Sequence, residues 1–343
     1  MPIRAFLSAI VCCVSSFAAL GEPAGFIRGV TVSCQTSGAE WGRPEMASTL
    51  EELQALGAGW IAIHPYARIH ADGSITFRDD AQPVHITRPL TWSRERGLGV
   101  MLIPHLAYWG SPFSWRGAID FDSPAKWNRF FEDYERWIVP MARLAEQGGA
   151  GIFCVGLEYL HAERFEQRWR QIIAAVRAVY HGKVTYGANW DDFANVGFWD
   201  ALDSIGVLAY FPLSTAPEPA STQIDAGWND WMAKLSVLSA RKSKPILFIE
   251  VGYDQTPACA ATPWEDAKIH DDPRGAELQA RCLDRALALQ GRFPSLAGMF
   301  LWKWFPDIPS REHESFDLRT PLLKATIARR WQRVADPLVA PSP

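Results

Sequence analysis

The chain has 343 residues, 48% of them hydrophobic and 21% charged, and carries a formal net charge of −4. That length and apolar content are enough to bury the core of one α/β barrel, and the acidic balance excludes a basic footprint for nucleic acid. Sixteen Trp in a 12% aromatic composition mean either heavy core packing or aromatic platforms, and only position along the elements separates the two.

In chain order, residues 1–20 are expected to be a secretory signal: Arg4 precedes an apolar run, Ala5–Leu20, with small residues at Ser16 and Ala18. The run is too short to span a bilayer securely, and Val11 before Cys12 fits a lipid anchor less well. The mature protein is therefore expected to be secreted or periplasmic, off the membrane and monomeric. Short apolar runs then alternate with longer amphipathic ones. Strands are predicted at Phe26–Val32, Gly59–Tyr66, Gly99–Leu106, Ala150–Glu158, Lys183–Asn189, Ser204–Phe211, Ile246–Gly252 and Leu296–Trp304. Helices are predicted at Glu45–Leu56, Pro83–Arg96, Pro124–Glu146, Glu163–Tyr180, Phe193–Leu202, Ile224–Ala240, Arg274–Arg292 and Pro321–Arg333. Ser123-Pro124 reads as an N-cap followed by proline in the first helical turn. Eight consecutive βα units predict a single-domain (β/α)8 TIM barrel over residues 24–335, with a flexible Pro-rich tail at 336–343.

Two of these strands share an oddity. Gly149–Tyr159 and Lys244–Tyr253 are near-continuous apolar runs, yet each ends in a lone acid, Glu158 and Glu250. An unpaired buried charge is costly, so each acid is either half of an ion pair or held there for chemistry. Barrel sites lie at the C-terminal ends of the strands, and the fourth and seventh strands deliver these carboxylates to one mouth. A glycosidic bond needs one carboxylic acid to protonate the leaving oxygen and one carboxylate to attack the sugar or activate water. Glu158 and Glu250 can fill both parts with no metal or cofactor. Neither CxxC spacing nor a His-Cys cluster suggests zinc. Of the four cysteines beyond the signal, Cys154 reads as a small buried hydrophobe, and Cys259 and Cys282 as a candidate disulfide.

Aromatic and polar residues crowd the same rim. His64 and Tyr66 end strand two; His105, Tyr108 and Trp109 follow strand three; Asn189, Trp190 and Asp191 follow strand five. Tyr210 ends strand six and is expected to hydrogen-bond Glu250 and keep it ionised. One of Trp302 and Trp304 is expected to point inward and the other outward. The longest loops carry Trp115 and Trp264. Each aromatic ring here is a sugar platform or loop packing, Asp191 an orienter or a cap, and the acidic stretch 265–272 a solvated loop.

An acid at strand four and another at strand seven resembles glycoside hydrolase clan A. The motifs GVTV, IPH, VGLEY, VTYGANWDD, FWDALDSIGVLAYFPL and KPILFIEVGY followed by AATPW resemble, more narrowly, glycoside hydrolase family 113, the β-mannanases, over nearly the whole mature chain. The resemblance implies Glu158 as acid/base, Glu250 as nucleophile, retention of configuration and a β-1,4-mannan substrate. Many clan members carry Asn just before the acid/base; here Leu157 stands there, leaving Asn189 as the candidate for the sugar 2-hydroxyl. Action on glucan or xylan, and a non-catalytic carbohydrate-binding barrel, are the competing readings.

Overall fold

A computed structural model of the protein describes residues 25–78, 83–265, 272–306 and 315–332. The expected signal and tail lie outside the described residues, as does most of the 265–272 stretch. Eight parallel strands close into a barrel: Ile27–Val32, Trp60–Ile63, Gly99–Leu102, Ile152–Leu157, Lys183–Ala188, Ile205–Leu208, Ile246–Val251 and Leu296–Trp304, called strands one to eight below. Strand one pairs with strand eight, from Ile27 opposite Gly298 onward, so the sheet has no free edge. Among the described residues, seven helices surround it: α1 Pro44–Ala55, α2 Val84–Glu95, α3 Pro124–Gly148, α4 Glu166–Arg177, α5 Ser221–Lys242, α6 Pro273–Leu287 and α7 Pro321–Trp331. Alternation along the strands divides the core. Met101, Ile103, Cys154, Leu157, Ile249 and Phe300 fill the barrel interior, while the outward residues pack beneath the helices.

Local rules account for most boundaries. Helix α3 starts where the Ser123 side chain accepts from the Lys126 N–H at 3.4 Å, with Pro124 in its first turn, and it stops at Gly149 in the left-handed region, φ 74°. Strands two and three are shorter than predicted, and each breaks at a proline. Pro65 and Pro104 cannot donate to a ladder, and beyond them the chain restarts as rim strands, Tyr66–Ile69 paired in parallel with His105–Ala107. The helix predicted at Phe193–Leu202 is absent: only the single turn Trp199–Ala201 forms. That segment contains Gly197 against the Glu166 side chain, and Phe193, Val196, Phe198 and Trp199 are all buried, whereas an exposed helix would bury one face. The disulfide is also absent. Cys259 and Cys282 are buried free thiols, and contact with Cys282, then burial, holds the Cys259 thiol pKa well above its ordinary value.

Candidate active site

Glu250 sits on strand seven next to shifts of register with both neighbouring strands, irregularities of the kind that re-aim a side chain. It is 2% exposed. Tyr210, just past strand six, donates its phenolic O–H to Glu250 Oε2 at 2.7 Å, and Glu250 Oε1 has no hydrogen-bond partner among the described residues. Burial first, then the charge of Glu158, pushes the Glu250 carboxyl up to about 7, against the lowering effect of Arg116, Tyr210 and Lys303. Tyr210 acts in the expected direction but is outweighed by desolvation. His105 lies with Nε2 3.9 Å from Glu250 Oε1. Burial, then Arg116 and His64, hold its pKa well below the usual range, so the contact is that of a neutral imidazole and not an ion pair. His64 stacks on it with ring centroids 4.7 Å apart and meets Ser33 Oγ at 3.1 Å through its own Nε2.

Glu158 begins the loop after strand four with φ 58°, the left-handed region that a branched-free but non-glycine residue enters at a cost of roughly 1–3 kcal/mol. Its N–H donates to Gly187 O at 2.8 Å. A Cβ on Gly187 would stand 2.4 Å from Leu157 Cδ1, so the glycine of the YGANWD motif lets strand five approach the Glu158 backbone. Arg116, in the loop after strand three, donates to Glu158 Oε2 from Nε at 3.2 Å and Nη2 at 2.9 Å. Burial opposes the Arg116 charge, but Glu158 and Glu250 outweigh it and hold the guanidinium pKa above its ordinary value. Behind the loop, Tyr186 Oη accepts from the Tyr159 N–H at 3.0 Å and donates to Glu163 Oε1 at 2.7 Å. Burial, then Asp192, pushes Glu163 up to about 9, keeping this link protonated at neutral pH.

Two coupled carboxylates at the ends of strands four and seven, flanked by a phenol, neutral histidines and an indole, form a site for two-carboxylate chemistry. A sequence model of Glycoside Hydrolase Family 113 matches residues 30–319. The chain belongs to glycoside hydrolase family 113. Among solved structures, it resembles the GH113 β-mannanase AaManA from Alicyclobacillus acidocaldarius, in complex with ManMIm, with a TM-score of 0.78 and 28% identity over 91% of this chain and 98% of that one. A GH113 β-1,4-mannanase complex matches with a TM-score of 0.78 and 22% identity over 90% and 99% of the two chains. No curated protein sequence matches the chain significantly.

In this glycoside hydrolase, Trp302 is half-buried and faces His64 and His105 at 5.5 and 6.2 Å between centroids. Trp304 is wholly buried between the Arg319 and Lys324 side chains. It is a core residue, and its assignment to substrate binding is corrected: residues two apart on a regular strand share a face, but the pairing of strand eight with strand one shifts register between Val30–Leu301 and Val32–Trp304, and Trp304 turns out beneath the helices. Tyr66 lies edge-on to both histidines and tilts against Trp109, which is 51% exposed. Trp190 stacks with Trp264 at 5.0 Å and 14° on the opposite side of the mouth. Asn189 donates to Asp191 Oδ1 at 2.8 Å, which accounts for Asp191 as its orienter. Trp115 packs over Gly117, beside the functional residue that sequence reasoning missed. Arg116 sits in a loop with no periodicity and no motif to single it out.

Proposed function

We propose that the enzyme hydrolyses β-1,4-linked mannan or manno-oligosaccharides with retention of configuration. The observation that carries the mechanism is the asymmetry of Glu250: one oxygen is held by Tyr210 and the other is unpartnered. An ionised Glu250 attacks the anomeric carbon with Oε1, while Tyr210 fixes the carboxylate plane. Glu158 delivers a proton to the leaving oxygen and then, once Glu250 is glycosylated and uncharged, draws a proton from the incoming water. Arg116 has to give up Glu158 Oε2 for the first step. In the second it stabilises the carboxylate that acts as base. Trp302 supplies the apolar floor beneath the reacting sugar. The mannan substrate is supported by the solved β-mannanases that the chain resembles along its length.

Reducing-end assays on β-mannan, β-glucan and xylan, with NMR of the first product anomer, test this reading. Release of β-mannose ends from mannan alone is expected. Preference for another glycan overturns the substrate, and an α-product overturns the mechanism. Glu250→Gln is expected to abolish turnover. Glu158→Ala is expected to stop hydrolysis of mannan but spare glycosylation by an aryl glycoside with a very acidic leaving group, which needs no proton.

A further inference from the structure

A cavity of about 1200 Å³ runs from Trp302 and His105 out over the ends of strands one to three. A smaller hollow of about 420 Å³ shares Thr36, Ser37, Arg78 and His85 with it, so the two form one groove. Arginines line it: Arg68, Arg78 and the Glu158-paired Arg116 in the larger part, Arg43 and Arg78 in the smaller. Arg43 and Arg78 are exposed, and neither side chain has a hydrogen bond or ion pair among the described residues. Arg68 donates to the Trp109 carbonyl, an uncharged partner. The one lining carboxylate among the described residues, Glu40, is buried and already accepts from the N–H groups of Gln35 and Thr36 at 2.8 and 3.0 Å and from the Thr36 hydroxyl.

Exposed arginines without a partner among the described residues also occur singly at Arg94, Arg143 and Arg241, but none of these lines the groove, and many others are paired. Arg96, Arg129, Arg170, Arg177 and Arg285 each meet a carboxylate of Glu51, Asp72, Asp200, Asp203 and Asp225 respectively. The chain as a whole is acidic, at −4. Neutral hexose hydroxyls give a guanidinium no charge to pair with, whereas its planar fork matches an oxyanion in two-point contact.

We propose that this groove is an anion-binding arm of the substrate cleft, taking a glycan unit that carries a carboxylate or a sulfate ester. The inference rests on the glycosidase reading above and narrows its substrate to an acidically substituted mannan-type chain. The test is calorimetric titration of the Glu250→Gln enzyme with β-1,4-mannotetraose, with an oligosaccharide of the same length bearing one glucuronate, and with one bearing a sulfate ester. Roughly 10-fold tighter binding of an acidic ligand is expected at low salt, with the advantage fading as salt screens the groove. The Arg43→Ala/Arg78→Ala double variant should bring the ratio of acidic to neutral affinity close to one, and Arg78→Glu should invert it. The stronger of the two acidic ligands tells carboxylate from sulfate. Equal affinity for neutral and acidic ligands, binding of neither, or a preference that survives loss of both arginines overturns the proposal. Hydrolysis assays keep the two readings apart: failure to cut neutral mannan with the acidic preference intact strikes only the neutral-mannan reading.

Discussion

Glu250 has one oxygen tied and one bare, in a place where its charge is unwelcome, and both facts have measurable consequences. Tyr210→Phe removes the donor to Oε2 found among the described residues. A hydrogen bond to a charged group is worth about 1.5–3 kcal/mol, so kcat/KM is expected to fall roughly 10- to 100-fold, with the acidic limb of the pH–rate profile moving to higher pH. An unmoved limb would mean another group titrates there. The same carboxyl leaves a mark on stability. Its folded pKa, raised from 4.5 to about 7, lies above the unfolded value, so the folded state resists ionisation. The penalty is absent below about pH 4.5, grows as pH rises, and is complete above about pH 7 at an order of 3 kcal/mol. Glu250→Gln has no charge to bury. Its melting temperature is therefore expected to gain on the wild type between pH 4.5 and 8, and a gap that stays constant or narrows sinks the account. Activity here comes at the expense of stability.

At the scale of elements, the acids sit where the barrel ladder becomes irregular. Register shifts fall between Cys154 and Leu157 on strand four and between Phe248 and Val251 on strand seven. The Glu158 loop leans on a neighbouring strand through Tyr159 N–H, Tyr186 and Glu163. Tyr186→Phe keeps the ring but loses both bonds, and should lower kcat on mannan with little change in KM; a change in KM alone would mark the link as mere packing. This layer explains what was legible in the sequence and what was not. The barrel was readable because each strand is a short apolar run, and Glu158 and Glu250 stood out as lone charges in two of them. Tyr210 followed from strand order. The Pro65 and Pro104 breaks were visible residues whose effect was overlooked, since the apolar pattern continues across them. Arg116 was illegible: it comes from a loop whose path is set by tertiary contacts, and nothing local marks a guanidinium that will reach a carboxylate 42 positions away. Trp304 was misread because alternation puts Trp302 and Trp304, two residues apart, on one face, and the register shift that separates them leaves no mark in the sequence.

For the whole molecule, closure is the feature on which the site depends, because Trp302 and Lys303 on strand eight reach the cavity only if strand eight is pinned beside strand one. The seam is built from both ends of the chain. Glu52 on α1 meets Lys324 and Arg319 near α7. Arg28 on strand one donates to the Trp331 carbonyl at 2.9 Å. The Trp331 side chain, 1% exposed, packs against Gly57, where φ is 95° and an added Cβ would approach to 2.9 Å. These half-buried ion pairs are expected to contribute less, since solvent still screens them, whereas a large buried ring truncated to alanine typically costs about 3–5 kcal/mol. Trp331→Ala is therefore expected to lower the melting temperature far more than Glu52→Gln. Because the seam positions strand eight, a trace of proteolytic opening should appear first around the two chain ends in that variant. Activity per folded molecule should persist at low temperature, since Trp331 is on the outer face of the barrel and touches no part of the mouth. Equal stability of Trp331→Ala and Glu52→Gln would show that the seam is held by charge and not by packing.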